Sequence, residues 1–265
     1  MTYKLFISDM KEGFEPQKSL IDRPEFFDAG HVKGCYFYLS RHGKLGGDTF
    51  TVKADQGIAI SLLGDVSGHG SQDRYKLQSY TSGLEKVTDQ ILSARFDEKS
   101  IIRGILSIDK RIPTDSLMAF SLVRILKDGS FYYLNGGENT IMSYKKGRSE
   151  DLSERFWGKV PKIGAFSLLG NEEKVLQEVS FFKDKLTEGD RILIFTDGVA
   201  EYSETRQRGK EELKQERLCE IQEQLCTGKP LDIIIQEINK SAQTQLRKLH
   251  EDLADDYTII GLGMV

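Results

Sequence analysis

Four stretches of the chain put aspartate where a strand tolerates it poorly. Asp48 follows two glycines in Leu45-Gly46-Gly47-Asp48, and Asp65 interrupts SLLGDVSGHG (61–70). Asp197 ends the apolar run of ILIFTDGV (192–199), and the pair Asp255-Asp256 precedes YTIIGLG. Aspartate is disfavoured in strands and costly to bury. A single case is ordinarily a turn residue or a helix cap. Four from distant parts of the chain, each at a strand end, can converge on one edge of a sandwich, where mutual repulsion calls for cations. No histidine/cysteine cluster of zinc spacing accompanies them, so hard oxygen donors dominate and Mg²⁺ or Mn²⁺ fits best. Carboxylates from several strands can hold two such ions about 3.5–4 Å apart. A water shared by two dications loses a proton near neutral pH and becomes a nucleophile for in-line attack on phosphorus, while the ions neutralise the developing charge.

Around Asp65, the small residues Ser67, Gly68 and Gly70 let backbone groups approach a metal or a phosphate. A nucleotide site is a weaker reading. No Lys-Ser/Thr follows these glycines, and GDVSGHG lacks the dinucleotide-binding spacing.

The elements that must position these residues fall into blocks. HVKGCYFYL (31–39), DTFTVKA (48–54) and GIAISLLG (57–64) read as strands, the last apolar on both faces as a buried central strand would be. Residues 75–94 place Leu77, Tyr80, Leu84, Val87 and Ile91 at helical spacing. A second helix covers 98–111, ended by Pro113. SLMAFSLVRIL (116–126) and SFYYLNGG (130–137) flank an Asp128-Gly129 hairpin signal, and TIMSYKKG (140–147) continues the meander. EKVLQEVSFF (173–182) and DRILIFT (190–196) are expected strands. The charged segment 204–252 reads as two helices split at Thr227-Gly228-Lys229-Pro230, and DYTIIGLGMV (256–265) closes the chain as a strand. Hairpin-linked strands with helices in blocks give an α+β class: two packed antiparallel sheets, a β-sandwich, flanked by α-helices.

Length and composition narrow the function. The 265 residues carry Lys+Arg 37 against Asp+Glu 41, a formal charge of −4, which argues against nucleic-acid binding as the main role. The longest apolar runs fall far short of a membrane span, and residues 1–15 have no uninterrupted apolar stretch of the kind a signal peptide needs. Three scattered cysteines, Cys35, Cys219 and Cys226, fit a reducing compartment, so a cytoplasmic protein is expected. Cys219 and Cys226, seven apart on one expected helix, are read as small buried hydrophobes. The expected organisation is one domain over 1–265, with 1–30 an N-terminal extension and no separate regulatory domain.

Five segments, in order, resemble the PPM-type metal-dependent serine/threonine protein phosphatases of the bacterial SpoIIE/RsbU-like branch. They are GGDTF (46–50), GDVSGHG (64–70), YLNGGENT (133–140), LTEGDRILIFTDGVAE (186–201) and DDYTII (255–260). The resemblance implies that Asp65 bridges two metals and that the Val66 carbonyl serves the second. It implies that Asp197 and Asp255 hold the first metal and that Asp48 sits beside the second. Within the pair, Asp255 aligns with the ligand position and Asp256 with its neighbour; sequence alone leaves the reverse open. The cofactors implied are two Mn²⁺ or Mg²⁺, and Asp65 and Asp197 are the residues on which catalysis depends. The substrate implied is phosphoserine or phosphothreonine on a regulatory protein, by family analogy an anti-sigma-factor antagonist of the STAS type. The family fold, a sandwich of two antiparallel sheets flanked by helices, agrees with the block pattern.

Two segments depart from the family pattern, SQDRYKL (71–77) and Gly136/Glu138/Thr140; neither replaces a metal ligand. Arg41 and Lys44, just before the first aspartate, are candidates to clamp a substrate phosphate, although a solvated turn explains them equally well. His69 is read as an exposed loop residue rather than a general acid, and Trp157 as packing. The alternatives to a protein phosphatase are a module on the same fold that binds a phosphoprotein without hydrolysis, and a small-molecule phosphoesterase.

Overall fold

Hairpin chemistry and apolar alternation build two antiparallel sheets. The computed structural model describes residues 3–7, 25–39, 47–55, 57–66, 83–84, 86–91, 97–110, 117–156, 159–201, 210–249 and 255–265. The strands are β1 (Tyr3–Ile7), β2 (Glu25–Asp28), β3 (Val32–Leu39), β4 (Asp48–Asp55), β5 (Ile58–Val66) and β6 (Met118–Leu126). They continue as β7 (Ser130–Gly136), β8 (Thr140–Lys145), β9 (Arg148–Asp151), β10 (Phe182–Lys185), β11 (Arg191–Phe195) and β12 (Tyr257–Met264). Flanking them are α1 (Glu98–Asp109), α2 (Glu172–Glu178), α3 (Asp197–Ala200), α4 (Lys210–Leu225) and α5 (Leu231–Leu249). The class is α+β, as the block pattern predicts.

The chain forms two compact units. The first carries the sheet β1-β4-β5-β6-β7-β10 with α1 and α2. Its β6–β7 turn is the expected Asp-Gly hairpin: Gly129 has φ +80° and Asp128 Oδ1 accepts the Ser130 N–H at 3.0 Å. In the helical residues 83–84 and 86–91, Leu84, Val87 and Ile91 are buried as the predicted apolar stripe requires; Leu77 and Tyr80 of that stripe lie outside the described residues. This helix is tied to the sheet by Arg124 Nε donating to the Ile91 carbonyl at 3.0 Å and by the Lys53–Asp89 ion pair at 2.7 Å. Asp97 caps α1, its carboxylate accepting the Lys99 and Ser100 N–H groups, and the helix buries Ile101, Ile102, Ile105, Leu106 and Ile108.

The expected strand over 173–182 is not formed. Residues Glu172–Glu178 are helix α2, and only Phe182–Lys185 pair as a strand. Asn171 accepts the Lys174 N–H at 3.0 Å as an N-cap, and Glu172 and Glu173 occupy the first turn. Val175 and Val179 are buried while Gln177 between them is exposed, which fits a helix, because a strand would put all three on one face.

The second unit carries the sheet β2-β3-β12-β11-β8-β9 with α3, α4 and α5. One core joins Cys35, Phe37, Phe195 and Tyr257 of the sheet to Ile221 and Leu225 of α4 and to Ile234, Ile235 and Ile238 of α5. Phe37 meets Tyr257 edge-on, centroids 5.9 Å apart. The break between the helices is where the sequence predicts it, with Gly228 at φ +73°.

Cys219 and Cys226 are exposed, contrary to the expected burial. The inward stripe of α4 is Arg217, Ile221 and Leu225, and residue 219 lies about 200° around the helix from 217. Cys35 is the buried thiol. Desolvation first, and the Asp232 carboxylate second, push it from 9.0 up to about 12. The unfolded chain therefore releases this proton first. The resulting stabilisation is fully present below pH 9 and is lost as pH rises towards 12. Ellman's reagent is expected to titrate Cys219 and Cys226 at once in the folded protein and Cys35 only after denaturation. A third fast thiol in the native state would contradict this burial.

Candidate metal centre

In the first unit, β4 opens with Asp48 and β5 ends one residue after Asp65, and the antiparallel register pairs the two aspartates directly. Residues directly opposite project from the same face with Cβ atoms about 4.5–5.5 Å apart, and like charges so placed repel. Asp48 is buried and Asp65 half-buried. The glycine before Asp48 has a steric reason. The Val66 N–H donates to the Gly47 carbonyl at 3.1 Å, and a Cβ at position 47 would lie 2.7 Å from the Val66 carbonyl oxygen. Only glycine lets the backbone pass so close to that oxygen.

The next strand explains the altered 136–140 segment. Ala119 pairs with Asp65, and a Cβ at Gly137 (φ +97°) would lie 2.7 Å from the Ala119 Cβ. A Cβ at Gly136 would lie 2.5 Å from the Pro161 carbonyl oxygen. Both glycines are therefore packing requirements. Beneath them runs a buried polar chain: Ser121 Oγ donates to Asn135 Oδ1, Asn135 Nδ2 to the Asn139 carbonyl at 2.9 Å, and Asn139 Nδ2 to the Leu63 carbonyl at 3.5 Å. Glu138 is ion-paired with Lys162.

In the second unit, β11 runs through Thr196 into α3, whose first residue is Asp197. The Thr196 N–H donates to the Thr258 carbonyl at 3.1 Å, and the Thr258 N–H returns to Thr196 Oγ1 at 3.2 Å. These two bonds lock the end of β11 to the start of β12, which Asp255 and Asp256 precede. A Cβ at Gly198 would sit 1.8 Å from the Asp256 carbonyl oxygen, so the backbone after Asp197 packs directly on the Asp255-Asp256 backbone. Asp255 Oδ1 accepts the Asp256 N–H at 2.8 Å. Asp256 is buried and Asp255 half-buried, so Asp255 is the more open carboxylate.

Each unit thus brings its own aspartates together, Asp48 with Asp65 and Asp197 with Asp255-Asp256. Among the described residues, no three Asp, Glu, His or Cys side chains gather into one cluster. The donors present fit a hard divalent cation: carboxylates, with a carbonyl oxygen at Val66 in a cradle that a Cβ would fill. Arg41, Lys44, His69, the 71–77 segment and Trp157 lie outside the described residues. The contacts at Gly47 and Gly198 escaped the sequence reading, although the Gly-Asp and Asp-Gly pairs carried the signal.

A family model described as Stage II sporulation protein E (SpoIIE) matches residues 55–264. Among solved structures, RsbX in complex with magnesium is 17% identical, covering 91% of this chain and 100% of its own, with TM-score 0.59. The RsbU and RsbW domains of a Mycobacterium tuberculosis protein are 18% identical over 88% of this chain and 60% of theirs, with TM-score 0.67. The phosphatase domain of SpoIIE from Bacillus subtilis is 18% identical over 88% of this chain and 91% of its own, with TM-score 0.57. At these identities the structures establish a shared fold. No curated protein sequence matches the chain.

Proposed function

The chain belongs to the SpoIIE family of PPM-type serine/threonine protein phosphatases, and on that premise we propose that it dephosphorylates phosphoserine or phosphothreonine on a regulatory protein at a centre of two Mn²⁺ or Mg²⁺ ions. Asp65 would serve both ions, the Val66 carbonyl and Asp48 would serve the second, and Asp197 and Asp255 would hold the first. The observation that carries this reading is the directly paired Asp48 and Asp65 beside the Gly47 cradle, because two carboxylates in register on one face make a site of high cation affinity. The openness of Asp255 relative to Asp256 favours it as the ligand.

When bound, the ions supply Lewis acidity: they acidify a shared water and neutralise charge on the phosphoryl oxygens. The chain's own part is placement. The β4–β5 register fixes the Asp48–Asp65 pair, the Thr196–Thr258 bonds fix Asp197 beside Asp255, and Gly47 keeps the Val66 carbonyl uncovered. Rigid strand ends hold such ligands better than loops would.

By family analogy the substrate is an anti-sigma-factor antagonist of the STAS type, with Arg41 and Lys44 assisting phosphate binding and the reaction taking place in the cytoplasm. Among the described residues, no helix is long and apolar enough to cross a membrane. The first 30 residues contribute β2 to one sheet and β1 to the other, which supports reading 1–265 as a single phosphatase domain.

The test is Mn²⁺-dependent release of p-nitrophenol from its phosphate ester, followed by release of phosphate from a phosphorylated STAS protein. Hydrolysis that EDTA abolishes and Mn²⁺ restores is expected. Hydrolysis indifferent to EDTA would reject the metal centre, and tight capture of the phosphoprotein without turnover would favour a binding module.

A further inference from the structure

Asp197 sits on a helix of one turn, too short to hold its own orientation. Besides the Gly198–Asp256 contact, α3 is held by α4, through two cationic side chains one turn apart. Lys214 Nζ pairs with Glu201 Oε1 at 2.7 Å, with both side chains largely buried. The Glu201 N–H in turn donates to the Asp197 carbonyl at 2.6 Å. Arg217, only 2% exposed, spreads its guanidinium over three acceptors: the Val199 carbonyl of α3 at 3.4 Å, the Ile238 carbonyl of α5 at 2.6 Å, and Glu220 of its own helix at 2.6 Å. A buried guanidinium is kept only where its donors are met, and its planar fork fixes the direction of each acceptor. Leu225 and Ile221 anchor α4 in the core on the same stripe as Arg217. Any shift of α4 is therefore passed to the turn that starts at Asp197.

We propose that Arg217 and Lys214 are positioning residues that clamp the Asp197 turn through Val199 and Glu201, so that the seating of α4 sets the divalent-cation affinity of Asp197. The clamp rests on the metal-centre reading above. Groups that orient a ligand from behind alter affinity while leaving the ligand in place. The clamp therefore acts on metal occupancy and less on turnover once metal saturates.

The experiment is calorimetric titration of the purified full chain with Mn²⁺ alone, alongside thermal melting and the Mn²⁺ dependence of p-nitrophenyl phosphate hydrolysis. Arg217→Met is expected to raise the Mn²⁺ dissociation constant by about tenfold or more, with kcat at saturating Mn²⁺ largely kept. Lys214→Met should give a smaller rise that Lys214→Arg reverses. Arg124→Met is the control for mere destabilisation. Arg124 is 4% exposed, donates to the Ile91 carbonyl and pairs with Ile60, five positions along β6 from the Ala119 that faces Asp65. It should lower the melting temperature without moving the Mn²⁺ constant. If Arg217→Met does not fold, Lys214→Met carries the test. Unchanged Mn²⁺ affinity in the clamp variants, or an equal loss in Arg124→Met, overturns the clamp alone. A wild-type chain that binds no Mn²⁺ overturns the metal centre beneath it.

Discussion

Asp65→Asn is expected to lower kcat/KM by about 10³-fold, the scale on which removing a principal electrostatic element of an active site acts. Asparagine keeps the shape and volume of aspartate, so the β4–β5 register that pairs position 65 with Asp48 survives. What is lost is the negative charge that, in the proposed centre, would serve both ions. A second readout separates this from misfolding. Mn²⁺ at about 100 times its dissociation constant stabilises a protein that binds it by about 2.7 kcal/mol. For a chain of this size, that is a rise of about 5–10 °C in Tm. Wild type should show this rise and Asp65→Asn should not, while the melting of the two without metal stays comparable in cooperativity. A variant that kept both the wild-type rate and the Mn²⁺-induced rise would remove Asp65 from the centre.

The second large effect is expected from adding one carbon. In Gly198→Ala the new Cβ would fall 1.8 Å from the Asp256 carbonyl oxygen and 2.9 Å from its carbon. Both are backbone atoms, so no side chain can swing aside. The α3 turn must move away from the Asp255-Asp256 strand end, which separates Asp197 from Asp255. A displacement of roughly 1 Å in a catalytic group costs about 10²-fold in rate, and overpacking of this kind costs about 1–3 kcal/mol, or about 3–10 °C in Tm. Gly189→Ala supplies the contrast: φ is +83° there, but nothing lies within 4 Å of the added Cβ. That substitution should lower stability by about 1–2 kcal/mol through backbone strain and leave kcat/KM unchanged. Equal activity in Gly198→Ala and wild type would show that the contact with Asp256 does not position Asp197.

The central strands were legible because burial on both faces writes itself as a continuous apolar run. β5, β6, β11 and β12 appear where GIAISLLG, SLMAFSLVRIL, DRILIFT and DYTIIGLGMV predict them. The elements that escaped, β1, β2 and β9, together with the misplaced β10, are the four edges of the two sheets. An edge strand is short and often charged, as RSED (148–151) and FKDK (182–185) are. With so little apolar signal, its pairing partner alone identifies it. The helix α2 escaped for a related reason: Val175 and Val179 suggest strand by residue type, and the Asn171 cap together with the exposed Gln177 decides for helix. The cysteines of α4 show the limit of a spacing argument. An interval of seven shows that two residues share a face without saying which face is inward, and the Arg217–Ile221–Leu225 stripe settles that.

The sequence by itself determined the chemistry. Aspartates at strand ends, their order, and the flanking glycines and small residues mark the family to which the chain belongs and offer oxygen donors of the kind a divalent cation takes, because charge and donor type are properties of single residues. Tertiary structure alone decided which aspartate faces which, why positions 47, 136, 137 and 198 admit no side chain, and that α4 grips the turn bearing Asp197. These are distances between segments far apart in the chain. Strand register and close backbone contact fix such distances to fractions of an ångström, and no local pattern of residue types encodes them.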